Sequence, residues 1–384
     1  MSPELPKILS PLKTDFDKYP DQVFNIFIES SSKMPESLSD DRLLEWAKLG
    51  LEISAQSVRS WEAATNFYKA SPLVVSFMPY NYFQKWMFCG LKLCEESSTL
   101  GASYFESSPD SMSKLRTRHI ESWTNLGDSL YKGTWKSSAL ACSFFEHSPV
   151  LLDALAFNEL EKFVEFLDIL SGHSYDLSSE CLILGEKIFP LLDEEKEAFL
   201  SLAMELSKNA WREVKSFFEV GHTSLPKVEG SQRLKFMELS EKLLQNGARN
   251  IPSMMSQISD SLAQINEEQQ DMILDISDNL IQNDVLGSSN EPMTSTHTTI
   301  VIPEFIKSSP SVLQKLSDSQ FRSWYKEGLD IFLENRDAGV AFFKIESLRS
   351  ESIIESLASG VEFEKIKSLM EMYCCGLAGS EIML

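Results

Sequence analysis

Residues 86–91 read Trp-Met-Phe-Cys-Gly-Leu, and residues 102–109 read Ala-Ser-Tyr-Phe-Glu-Ser-Ser-Pro. The same phrase stands upstream as Trp46, Gly50 and Leu51, followed by Ala64, Phe67, Tyr68, Ser71 and Pro72. Downstream it runs Trp123 and Gly127, then Ala141, Phe144, Phe145, Ser148 and Pro149. It returns as Trp324, Gly328 and Leu329 with Ala341, Phe342 and Phe343. Pro72, Pro109, Pro149, Pro190 and Pro226 lie 37, 40, 41 and 36 residues apart. Self-similarity at such a period is the signature of stacked two-helix repeats, in which neither helix can bury its apolar face alone. The expected fold is all-α, an α-solenoid of about eight HEAT- or TPR-like two-helix repeats and a further half.

One repeat can be read residue by residue. Ser39 and Asp40 are N-cap candidates for a first helix. Its apolar stripe is Leu43, Ala47, Gly50 and Leu51, at i, i+4, i+7 and i+8. Gly50 sits within the stripe, where glycine costs about 0.5–1 kcal/mol relative to alanine. Close approach of a neighbouring helix is the expected compensation, at Gly90, Gly127 and Gly328 as well. Ser60 is placed to cap a second helix with the stripe Ala63, Ala64, Phe67 and Tyr68. Ser71-Pro72 is expected to end it, because the residue before proline is pushed out of the α region. Trp46, Trp86, Trp123 and Trp324 are expected to fill the gap between adjacent hairpins, one per layer, rather than to line an exposed aromatic groove.

The remaining chain divides with less regularity. Residues 1–38 read as an N-terminal extension with a lead-in helix, and residues 39–285 as the repeats up to the start of the seventh. The fourth pairs 160–170 with 179–188, the fifth 194–207 with 210–220, and the sixth 232–244 with 252–265. The seventh opens at 269–282, and its second helix has no clear pattern. Residues 286–304 read as a flexible acidic and Ser/Thr-rich loop, with a short extended piece at 299–302. Residues 305–384 read as C-terminal repeats: 319–333 with 338–345, then 363–377 as one more first helix.

Composition bounds the function. The 384 residues hold 57 Asp and Glu against 35 Lys and Arg, a formal charge of −22. A nucleic-acid reader needs a basic stripe to neutralise phosphate, and an anionic membrane attracts basic segments, so neither is an expected partner. No window approaches the roughly 18 apolar residues of a membrane span. Residues 1–19 contain no apolar signal core. A cytoplasmic protein is expected, and Cys89, Cys94, Cys142, Cys181, Cys374 and Cys375 suit free thiols there.

Reaction chemistry leaves no mark on the sequence. His119, His147, His173, His222 and His297 include no His-Glu-x-x-His arrangement. There is no P-loop, no dinucleotide glycine run and no nucleophile elbow. No catalytic, cofactor-binding or metal-ligating residue is assigned, and no cofactor. The best candidate site is an acidic helix face. No Lys or Arg occurs between Arg249 and Lys307. Within that segment Glu267, Asp271, Asp275 and Asp278 fall at i, i+4, i+8 and i+11, on one face. Like charges four apart repel by about 0.2–0.5 kcal/mol per pair. Such a row is a solvated face, a docking face for a basic protein surface, or a loose cation site. Changing Asp271, Asp275 and Asp278 to Asn is expected to leave stability unchanged or slightly raised.

The repeat phrase also resembles a known arrangement. Trp-x-x-x-Gly-Leu followed by Ala-x-x-Phe-Phe-x-x-Ser-Pro is similar to the N-terminal helical repeats of large bacterial von Willebrand factor A domain proteins of the nitric-oxide-reductase activation type. The match is clearest over residues 40–150 and 318–346. In that family the A domain holds Mg²⁺ through Asp-x-Ser-x-Ser. Here Asp275-Ile276-Ser277-Asp278-Asn279 has only the first half of that triplet, and the A domain itself is absent. The resemblance implies a scaffold that works beside a MoxR-type AAA+ ATPase, or a von Willebrand factor A domain protein, in metalloenzyme maturation. From the residues themselves, the expected function is a non-enzymatic protein-interaction scaffold. The alternative is an enzyme whose site is assembled from dispersed residues on the concave face.

Overall fold

The structure is a computed structural model. It describes residues 7–57, 60–133, 138–248, 250–286, 298–334, 339–340 and 342–343. These contain seventeen α-helices and no strand: an all-α helical-repeat fold. The chain forms two compact units, Met1–Lys196 and Glu197–Leu384. In the first, α1 (Lys13–Phe16) and α2 (Asp21–Ser31) lead into four hairpins. These are α3 (Asp40–Ala55) with α4 (Trp61–Phe77), α5 (Tyr80–Glu96) with α6 (Ser98–Lys114), α7 (Ile120–Lys132) with α8 (Ser138–Ala154), and α9 (Phe157–Ser171) with α10 (Tyr175–Ile188).

Two rows result. Helices α3, α5, α7 and α9 pack in succession, and so do α2, α4, α6, α8 and α10. The second unit contains α11 (Lys196–Asn209), α12 (Val214–Ser224), α13 (Gly230–Gln245), α14 (Ile251–Leu262), α15 (Glu267–Leu286), α16 (Thr298–Leu313) and α17 (Asp318–Glu334). There α12, α14 and α16 form one row, α13 packs on α15 across the other, and α13–α14 and α15–α16 are hairpins. Between α13 and α14, Gly247 takes a φ of 90°, so its N–H reaches Leu244 and that of Ala248 reaches Leu243. A left-handed glycine just past a helix end satisfies its last carbonyls this way.

The repeated phrase builds one contact set again and again. Trp46, Trp86 and Trp123 are fully buried, and Trp324 nearly so. Each meets the second aromatic of its own hairpin edge-on: Tyr68 and Phe105 at 5.2 Å, Phe145 at 4.9 Å and Phe343 at 5.3 Å between centroids. The first aromatic of the preceding layer then touches both rings. Phe67 lies 5.8 Å from Trp86 and 5.2 Å from Phe105. Tyr104 lies 5.1 Å from Trp123 and 5.4 Å from Phe145. Phe27 of α2 does the same for Trp46 and Tyr68, and Phe305 of α16 for Trp324 and Phe343. Aromatic pairs in these geometries add about 0.5–1.5 kcal/mol each beyond the area they bury.

The glycines serve the rings rather than a bare backbone contact. A Cβ added to Gly50, Gly90, Gly127 or Gly328 would overlap the ring of Tyr68, Phe105, Phe145 or Phe343 respectively. The close approach expected from the sequence is therefore an aromatic side chain lying flush on a helix that carries no side chain there.

Ser-Pro does not end the second helix. Pro72, Pro109 and Pro149 lie inside α4, α6 and α8. A mid-helix proline lacks its N–H and crowds the carbonyl four residues back, at a cost of about 3 kcal/mol. Burial of the chain beyond the prolines offsets it. Val74, Met112 and Leu151 beyond the prolines are buried, so stopping the helix would forfeit core. Ser71, Ser108 and Ser148, just before them, donate their hydroxyls to the carbonyls of Phe67, Tyr104 and Phe144. Such back-bonding tends to bend a helix and slightly destabilise it, so it accompanies the prolines rather than offsetting them. Only Pro190 and Pro226 stand at the ends expected, in 3-10 turns after α10 and α12.

Two further expectations change. Residues 298–304, read as loop and extended chain, open α16, which is the missing partner of α15. Its Phe305, Ser309 and Pro310 match Phe67, Ser71 and Pro72, and the Ser309 hydroxyl likewise donates to the Phe305 carbonyl. Residues 287–297, most of 338–345 and all of 363–377 lie outside the described residues.

Two outcomes follow for stability. Gly90→Ala should lower it by typically 1–3 kcal/mol by displacing Phe105. Gly230→Ala, with open space around its Cβ, should stay within about 0.5 kcal/mol of the parent. Paired thermal melts decide this, and equal melting temperatures would refute the ring-on-glycine contact. The serines offer a second comparison. The Trp86 and Trp123 indole N–H groups donate to Ser108 and Ser148 at 2.8 and 3.0 Å, whereas that of Trp46 is buried without a partner. Ser108→Ala should therefore cost about 1–3 kcal/mol, and Ser71→Ala clearly less.

Candidate functional site

The acidic row lies where the sequence placed it, on one face of α15, but it is not a bare row. Helix α13 packs beside α15 and presents two lysines to it. Lys235 pairs with Asp271 and also with Asp275, the latter at 2.7 Å. Lys242 pairs with Asp278, and the Ser231 hydroxyl donates to Glu267. The two lysines stand seven residues apart, two helical turns on the same face. The row therefore staples one repeat to the next. The premise that folding leaves these charges unanswered is corrected: the answering lysines lie one repeat back in sequence, outside the segment without Lys or Arg.

This pattern is general. Lys85 pairs with Glu121, Lys114 with Asp153 and Lys132 with Glu96. Lys227 pairs with Asp260, and His147 meets Glu186 at 2.8 Å. Tyr80 and Gln84 both donate to Glu45 at 2.7 Å. Each link joins side chains about one repeat apart. Most are half-exposed, so each contributes no more than about 1 kcal/mol. Together they link neighbouring layers on the outside.

A second place departs from the pattern, and the sequence reading did not single it out. Lys114, Arg116, Arg118 and His119 follow one another in an otherwise acidic chain. They end α6, cross a 3-10 turn and enter α7. One layer on, the turn from α8 to α9 holds Leu155, Ala156 and Phe157. Between the two turns lies a groove of about 690 Å³, lined by Lys114, Arg116, Arg118 and His119 from the first turn and by Leu152, Leu155 and Phe157 from the second. Glu161 is the acidic residue of its lining. Lys114 is engaged, donating to the Pro149 carbonyl at 2.8 Å and pairing with Asp153. Arg116 and Arg118 are exposed, and neither has an ion-pair partner among the described residues.

His119 is fixed within the groove wall. Its ring stacks on Phe157 with centroids 4.3 Å apart. The Arg118 Nε–H donates to its Nε2 at 3.0 Å. Partial burial and the neighbouring charges of Arg118 and Arg116 hold its pKa below the usual value. The ring is thus neutral at physiological pH, with one nitrogen occupied. The signal that could have revealed the groove is the spacing itself: three Lys or Arg within five residues occur nowhere else in the chain.

Chemistry elsewhere is quiet. Among the described residues no group of three His, Cys, Asp or Glu side chains could hold a metal ion. Cys94 is buried, and its thiol is pushed up to about 12 by burial, so it is an inert thiol. Cys181 is also buried, Cys89 and Cys142 are half-buried, and Cys374 and Cys375 lie outside the described residues. No described helix is long and apolar enough to cross a membrane. Comparison of the chain with protein-family models, curated proteins and solved structures finds no match in any of the three.

The α13–α15 staple reverses an expected sign. Asp271, Asp275 and Asp278 changed together to Asn should lower stability by roughly 1 kcal/mol, the loss shrinking as salt is added. An unchanged or higher melting temperature at low salt would show that repulsion along α15 dominates instead. The carboxylates of Asp271 and Asp275 also hold the Lys235 ammonium above its ordinary 10.5. A raised lysine stabilises fully below its unfolded-state value and ceases to do so as pH climbs through the folded one. The melting difference between parent and Lys235→Gln should therefore be constant near neutrality and vanish in strongly alkaline buffer.

Proposed function

We propose that this chain is a non-enzymatic protein-interaction scaffold. The observation that carries the reading is the basic groove between the α6–α7 and α8–α9 turns. Arg116 and Arg118 have no ion-pair partner among the described residues and line the groove beside Leu152, Leu155 and Phe157. Guanidinium groups with open donors next to aromatic and aliphatic surface are common ingredients of a binding patch.

The alternative is catalysis from dispersed residues. The groove does gather titratable groups, so the alternative has a definite place to be tested. Against it, the Nε2 of His119 already accepts from Arg118, and the ring is clamped on Phe157. A general base needs a free lone pair within reach of a substrate proton. A groove whose histidine is built into its wall is better suited to hold than to react.

The repeat phrase suggests the class of partner: a MoxR-type AAA+ ATPase or a von Willebrand factor A domain protein. That part of the proposal rests on the resemblance alone. Its test is capture from the native host with the tagged protein, followed by mass spectrometry. A stoichiometric protein partner, released by raised salt, is the expected result. Recovery of the chain with no protein partner over a range of gentle conditions would overturn the scaffold reading. A partner of another class would leave the scaffold standing and remove the resemblance.

A further inference from the structure

The groove says what kind of partner segment it takes. We infer that it binds an extended acidic peptide segment of a protein partner, carboxylates on Arg116 and Arg118, and an apolar side chain against Leu152, Leu155 and Phe157. The inference rests on the scaffold reading and names its contact site.

Four features point to this occupant. First is donor geometry. A guanidinium offers five N–H donors in a planar fork that matches a carboxylate. Arg118 has committed only its Nε–H, to His119. Arg116 lacks an ion-pair partner among the described residues, so both forks remain open. Second is spacing. The two arginines flank Thr117 in the 3-10 turn Thr117–His119, so their charges enter the groove from one short edge. Successive carboxylates of an extended chain suit that edge better than one isolated anion.

Third is the apolar lining. Leu155 is buried, while Leu152 and Phe157 are half-exposed in the groove lining. An inorganic anion gains nothing from them, whereas a peptide side chain does. Fourth is the surrounding field. The formal charge of −22 opposes a long polyanion such as RNA, whose phosphates would run past the two arginines onto acidic surface. A short acidic stretch ends before it meets that repulsion. Glu161 on the lining sets a further limit, because carboxylates placed near it are repelled.

The test uses fluorescence polarisation with the full chain. The probe is a labelled peptide of mixed Glu and Leu. A Gln-for-Glu version and a single-stranded RNA of equal charge are the comparisons. Binding of the Glu/Leu peptide should weaken roughly two- to thirtyfold in Arg116→Gln/Arg118→Gln, from two exposed charge pairs lost. It should also weaken with salt. Both arginines are exposed and bonded to no core group, so this variant should melt like the parent. Lys187→Gln, on α10, should bind as the parent does.

Equal binding of the Gln version, tighter binding of the RNA, or an unchanged double variant would each overturn the inference. Host capture repeated with the double variant separates the two readings. A partner captured by the parent and equally by the variant leaves the scaffold standing and moves its contact site elsewhere. A partner lost from the variant alone supports both. No protein partner for the parent, with peptide binding intact, would remove the scaffold reading but keep the groove's preference for acidic peptide.

Discussion

A ring resting on a helix that has no side chain beneath it holds four hairpins of this protein together. In four hairpins the second aromatic of the pair lies where a Cβ at Gly50, Gly90, Gly127 or Gly328 would be. That position brings it edge-on to the tryptophan one turn earlier. Tryptophan burial then creates a polar debt, since an indole N–H taken out of water needs an acceptor. In α6 and α8 the serine before proline meets it, while its own proton goes to the backbone carbonyl four residues back. Glycine, ring, tryptophan, serine and proline are thus one assembly. Each member is unfavourable or incomplete alone, and together they specify how the two helices cross.

The surface follows a different logic at the same spacing. Ion pairs and side-chain hydrogen bonds join residues about one repeat apart, so neighbouring layers are stitched on the outside as well as packed within. Individually these links are weak, as exposed pairs are. Their number gives the acidic chain a reason for its scattered lysines. The basic edge of the α6–α7 turn stands out because three Lys or Arg fall within five residues there.

Much of the fold was legible because its core is written in rare residues. Trp46, Trp86, Trp123 and Trp324, each followed by glycine four residues on, are hard to produce by chance, and they marked the first helices correctly. Local rules failed where tertiary contacts outweighed them. Pro72, Pro109 and Pro149 look like stops until one sees the apolar residues buried beyond them. Helix α16 carries two prolines, Pro303 and Pro310, and its kinship with α4 was hidden although Phe305 and Ser309 hold the same places. The acids of α15 share a face, as their spacing requires, but they are not a bare row. A helix wheel shows which acids share a face, but Lys235 and Lys242 reach them from the helix alongside. The groove was missed for a related reason. Its two walls come from different turns, and only the run from Lys114 to His119 hinted at one of them.

The interlayer contact also bears on how such a chain can change length. Phe27, Phe67 and Tyr104 present equivalent rings to the same two partners in the layer that follows. A layer therefore cannot tell which neighbour it sits on. Loss of one whole hairpin, residues 80–114, would bring Phe67 against Trp123 and Phe145, where Tyr104 now lies, and recreate the seam. Loss of a few residues within a helix would instead rotate every later ring off its glycine. Such a protein can grow or shrink in whole hairpins while its seams stay intact, and departures from that step size break the packing rather than adjust it.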